Sequence, residues 1–112
     1  MQTKTVENTG QKFRDAEHLW FWFLSGRKIK TGFYRQTELG NRPCELVDIE
    51  AVITRLFLAG KLSRDMLAVM KDWGERRRAP NHNIHAQNRD ANLWGAAMGT
   101  LGPEFRARGW ID

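Results

Sequence analysis

The side chains best suited to chemistry are gathered in one stretch, KDWGERRRAPNHNIHAQNRDANLW, from Lys71 to Trp94. Arg76, Arg77 and Arg78 are consecutive, and guanidinium forks match the oxygens of a phosphate. His85, Gln87, Asn88, Arg89 and Asn92 follow closely. Asn, Gln and Arg are the side chains that pair bidentately with adenine and guanine edges. Asn is also a poor helix former that favours caps and turns, so two of them at a helix start serve either capping or recognition. A second basic group, Arg27, Lys28 and Lys30 with Arg35 and Arg42, is opposed only by Glu38. These residues form a candidate nucleic-acid-binding set, in which arginines hold phosphates and the polar helix start faces a groove. The plainer reading is electrostatic, since cations are favoured at any helix C-terminus.

Other chemistry is poorly supplied. His82 and His85 stand three apart, and Cys44 could join them in a metal site only through a fortunate fold. Cys44 follows Pro43 at a helix start, which favours a thiolate, yet no base is identifiable beside it. No Gly-rich phosphate loop follows a strand, and no carboxylate pair stands alone in an apolar setting. The expectation is therefore a protein that is not an enzyme, with no metal and no cofactor.

Length and charge narrow the class further. A chain of 112 residues suits one domain with a real core. One cysteine excludes an internal disulfide and points to a reducing, cytoplasmic setting. The most apolar run, LWFWFL from Leu19 to Leu24, falls far short of the roughly 20 residues a membrane span requires. The formal charge is +5 and the pI about 9.9, a balance suited to a polyanion such as DNA.

The elements that must position these residues follow from apolar spacing. Residues 1–11 lack periodicity and read as a disordered tail, leaving 12–112 as a single helical domain. A helix is expected from Phe13 to about Gly26, with Asp15 and Glu17 in its first turn. Its aromatics fall on more than one face. Residues 27–42 break every period, with a short hairpin over Thr31 and Gly32 as one way to close them. Leu46, Ile49, Ile53, Leu56 and Phe57 then mark a helix capped by Gly60. Ser63 caps the next, whose stripe of Leu62, Met66, Val69, Met70 and Trp73 ends at Gly74. A last long helix is expected from His85 to Leu101, stopped by Gly102 and Pro103, with a short C-terminal helix around Glu104 to Arg108 returning Phe105, Trp110 and Ile111 to the core. The fold class is all-α, with four main helices, a short fifth, and a three-helix, helix-turn-helix-like core made by the last three main helices.

Two segments, LSRDMLAVMKDWGERRR and LWGAAMGTLGPEF, resemble the opening and closing helices of the helix-turn-helix region in sigma factors and phage late-gene antiterminators. The resemblance covers about half the chain and implies a DNA-binding, phage-type transcription regulator. The alternative is a protein-interaction module, binding a protein partner or a second copy through Phe21 and Trp22 or through the small-residue face of Gly95, Ala96, Ala97 and Gly99. Each Gly there costs a helix roughly 1 kcal/mol against Ala, so close packing of another helix is the expected compensation.

Overall fold

The computed structural model describes residues 10–30 and 42–112, with the backbone alone for residues 28–30. The described residues form four α-helices, α1 (Ala16–Lys30), α2 (Leu46–Leu58), α3 (Arg64–Glu75) and α4 (Asn88–Ala107), the last preceded by a 3-10 turn at His85–Gln87. No strand occurs among the described residues, so the all-α expectation holds. The readings of residues 1–9 as a tail and of a hairpin over Thr31 and Gly32 lie outside the described residues. Gly10 and Gln11, assigned to that tail, are placed: Gly10 lies against the Arg42–Pro43 backbone, where a Cβ would not fit, and Arg42 Nη1 donates to Gln11 O at 3.2 Å.

The first helix starts later and runs further than its spacing suggests. Asp15 is its cap rather than part of its first turn, with Oδ1 accepting from His18 N at 2.9 Å. His18 Nδ1 in turn accepts from Arg14 N at 3.1 Å. Burial, followed by the Arg42 and Arg14 guanidiniums, lowers the pKa of His18 against the pull of Asp15. At its other end α1 runs through Gly26 to Lys30. Gly26 is buried, so it serves packing and does not stop the helix.

All four stripes meet in one core, and α1 packs against each of the other three helices. Leu19, Trp20, Phe23 and Leu24 are buried, and Trp20 Nε1 donates to Met70 O at 2.8 Å, tying α1 to α3. Phe21 stacks on Trp94 with centroids 5.8 Å apart, and Trp22 meets Phe13 at 5.0 Å. The aromatics on the second face of α1 thus pack against other rings of the chain and are half-buried. On α2 the buried residues are Leu46, Ile49, Val52 and Leu56, and the helix packs principally on α1. Gly60 follows it at φ +79°, the left-handed geometry expected of the residue that ends this helix. Ser63 caps α3 as expected, its Oγ accepting from Met66 N at 3.1 Å.

Two helix stops differ from the sequence reading. Gly74 lies inside α3 and is buried, with Trp20 and Leu24 of α1 occupying the space a side chain would fill. Its role is close helix approach, and the helix ends at Glu75 with Arg76 as its C-cap. Gly102 and Pro103 do not end α4 either, because the helix continues to Ala107 and no separate fifth helix forms. Pro103 removes one amide from the ladder. Phe105 stands four residues after Leu101, both fully buried, so the core stripe keeps its phase across the proline.

The two ends of the described domain meet. Phe13 N donates to Trp110 O at 2.9 Å, and Asp112 N donates to Phe13 O at 3.1 Å, a parallel bridge between Phe13 and Ile111. Phe105 and Ile111 return to the core as expected, while Trp110 is half-buried.

Candidate nucleic-acid interface

The arginine triplet is organised by the end of α3. Arg77 N donates to Gly74 O at 3.0 Å and Arg78 N to Trp73 O at 3.4 Å, the two bonds of a Schellman motif. The left-handed position of that motif belongs to Arg77, at φ +60°. A side chain there costs roughly 1 kcal/mol that glycine would avoid. Arg77→Gly should therefore raise stability by about 1 kcal/mol in chemical denaturation. An unchanged or lowered midpoint would show that the arginine side chain stabilises the fold on its own account.

Trp73 is the platform beneath this turn. The Arg76 guanidinium lies 4.3 Å from its ring centroid and that of Arg78 5.8 Å, so the tryptophan and the helix end gather the two cations. Trp73 is itself buried and donates from Nε1 to Asp90 Oδ2 at 2.9 Å, which fixes the ring against α4. Arg76 also reaches Asp72 at 3.3 Å, an exposed pair of the kind worth little. Arg77 and Arg78 are exposed and form no salt bridge among the described residues.

The polar residues after the turn are used largely to fold the loop. Gln87 Oε1 accepts from Asn81 N at 2.8 Å, Asn88 Nδ2 donates to His82 O at 3.1 Å, and Asn92 Oδ1 lies 3.3 Å from His82 Nε2. Asn81 closes its own turn by accepting from Asn83 N at 2.8 Å. His85 is exposed on the 3-10 turn. Arg89 is held by Asp65 at 3.2 Å, with Asp90 at 4.0 Å. The helix start expected at His85 is a 3-10 turn, and α4 proper begins at Asn88.

The earlier basic group reaches this region through a groove. Arg27, on α1, is 3.8 Å from Glu50 of α2. Both line a groove of about 500 Å³ with Lys71 and Glu75 of α3, over an apolar floor that includes Trp20, Phe23 and Leu67. Cations and carboxylates therefore alternate between Arg27 and the arginine turn. The side chains of Lys28 and Lys30 lie outside the described residues.

Sequence reasoning missed Trp73 as an arginine platform, because its place in the stripe of α3 marked it as core. The spacing of Asp72 and Arg76 could have signalled their pairing, whereas Asp65 and Arg89 meet only in the fold. The Cys44 thiol is not activated by its place at a helix start. It is buried, and burial first and Asp48 second push its thiol up to about 12, outweighing Arg42 and the helix start that favoured a thiolate. Among the described residues no group of three His, Cys, Asp or Glu side chains could hold a metal ion, and no helix is long and apolar enough to cross a membrane. Of the small-residue face, Ala97 is fully buried in the core, whereas Gly95 and Gly99 have nothing packed over them and Ala96 is exposed, so the described residues cover that face only at Ala97. The chain matches no family model, no curated protein and no solved structure.

Proposed function

We propose that this is a small nucleic-acid-binding protein acting on DNA, which grips the phosphate backbone through Arg76, Arg77 and Arg78. The observation behind this reading is the arginine turn: two guanidiniums gathered over Trp73, and a third at a left-handed position where glycine would be more stable. A strained non-glycine residue at a protruding turn is a common mark of a binding site. The +5 charge adds general attraction to a polyanion. Gln87, Asn88 and Asn92 hold the loop, so in this reading they shape the grip and sequence discrimination is modest. A role in phage-type transcription regulation rests on the helix-turn-helix resemblance alone.

Counterion release gives the test. Fluorescence anisotropy with a random duplex across a salt series should show log affinity falling linearly with log salt. Arg76/Arg77/Arg78→Ala should flatten that slope by about 0.9 for each phosphate no longer neutralised, or about 2.7 for three. Absence of binding at low salt, or an unchanged slope in the triple variant, would sink the proposal. The alternative of a protein-interaction module gains support from a different surface, the outer face of α2, where Val47 and Leu58 are exposed.

A further inference from the structure

A helix that is apolar on one face packs once, and a helix that is apolar on two opposite faces calls for two partners. In this fold α2 is of the second kind. Leu46, Ile49, Val52 and Leu56 turn inward to the core. On the opposite side Val47 and Leu58 are 54% and 77% exposed, and exposed Ala51 and Thr54 lie between them. These four line one shallow depression, flanked by Glu50 and Arg55. Their spacing of four, three and four residues is that of the a and d seam of a coiled coil, with Val47 and Thr54 at d and Ala51 and Leu58 at a.

The geometry points to a second copy of this chain as the occupant: we propose that the protein forms a weak, symmetric dimer by packing α2 against α2 in parallel. The charges decide both the partner and the direction. In this register Glu50 is a g position and Arg55 the following e position, on opposite flanks of the seam. A parallel two-fold pairing sets Glu50 of each copy against Arg55 of the other, so two attractive pairs form at once. An antiparallel pairing centred on the same seam leaves Glu50 opposite Phe57 and sets Arg55 against Asp48, whose carboxylate already accepts from Glu45 N at 2.8 Å in the cap of its own helix, so the parallel pairing satisfies more charge. Small residues at 51 and 54 let the two helices approach closely, while Val47 and Leu58 supply apolar contact at either end. Glu50 is available for this because its contact with Arg27, at 3.8 Å between half-exposed side chains, is loose. One seam of under two heptads makes a small interface, so the dimer is a concentration-dependent one. The seam is formed by α2 and the arginine turn by α3, so the dimer stands or falls independently of the nucleic-acid reading.

Sedimentation velocity of the full chain from micromolar to about 1 mM is the primary test. The weight-average mass should climb from 13.0 kDa toward twice that value. Val47→Glu/Leu58→Glu should stay at the monomer mass with an unchanged circular dichroism spectrum, since both side chains are already exposed. Arg55→Glu should raise the dissociation constant at least tenfold, and the double swap Glu50→Arg/Arg55→Glu should bring it back toward wild type. Ala51→Cys reports the direction, because only a parallel pairing sets residue 51 beside its own copy, and Cys44 is too buried to compete. Rapid disulfide formation is expected on mild oxidation. A wild-type chain that stays monomeric up to about 1 mM overturns the proposal and leaves the seam to a helix of some other protein. So does a Val47→Glu/Leu58→Glu variant that dimerises like wild type, or a double swap no better than Arg55→Glu.

Discussion

Phe13→Ala should cost about 3–5 kcal/mol, the range for emptying a buried phenylalanine site. For a chain of this size the whole folding stability is on the order of 5–15 kcal/mol, so a single side chain outside any helix commands a large share of it. Phe13 is fully buried. Its ring meets Trp22 at 5.0 Å and His18 at 5.3 Å, and the Arg42 guanidinium lies 4.3 Å from its centroid. Its own backbone amide and carbonyl are the two groups bonded to Trp110 and Asp112. Removing the ring therefore opens a cavity, strips a cation of its partner and loosens the bridge between the ends. At roughly 4 °C per kcal/mol, the melting midpoint should fall by about 12–20 °C in a thermal circular dichroism scan. A shift under about 4 °C would mean that this segment docks on a core already complete without it.

Glycine-to-alanine changes should split by sign. Helix propensity favours alanine by roughly 1 kcal/mol at each position. At Gly95 and Gly99 nothing lies within 4 Å of the added carbon, so each change should stabilise by about that amount. At Gly74 the same carbon meets Leu24 and the indole nitrogen of Trp20, and that nitrogen cannot withdraw without breaking its 2.8 Å bond to Met70 O. Overpacking of this kind costs roughly 1–3 kcal/mol, with the smaller propensity gain set against it. Gly74→Ala should be destabilised, and Gly95→Ala/Gly99→Ala more stable than wild type by about 2 kcal/mol if the two sites add. Urea melts of the variants decide it. A stabilised Gly74→Ala would show that α1 and α3 have room to part.

Where the sequence is legible, the information is local. Ser63 and Gly60 bound their helices because caps depend on a few neighbouring residues, and the stripe of α2 is readable at Leu46, Ile49 and Leu56, although Val52 is buried where spacing pointed to Ile53 and Phe57, which are half-buried. Gly74 reads as a stop in sequence because its true reason is Trp20, a residue far away in the chain and visible only once α1 and α3 touch. Pro103 misleads for a related reason, since Leu101 and Phe105 together carry the helix past a residue that usually breaks one. In the candidate site, the three arginines stand out in composition. The hydrogen bonds of Gln87, Asn88 and Asn92 depend on the path of the 81–85 loop, so in sequence recognition and loop-building look alike.

The meeting of Phe13 with Ile111 also sets the order in which the domain can be completed during synthesis. A chain emerging from the ribosome offers α1 long before residues 110–112 exist, and domains fold as their parts become available. The helices α3 and α4 are neighbours in sequence and can pair with little loop to close. Phe13 and the covering face of α1 have to wait for nearly the whole chain. The face of α1 that carries Phe21, which waits for Trp94, and the Phe13 segment, which waits for Trp110, are thus the parts of this domain that stay uncovered longest during synthesis.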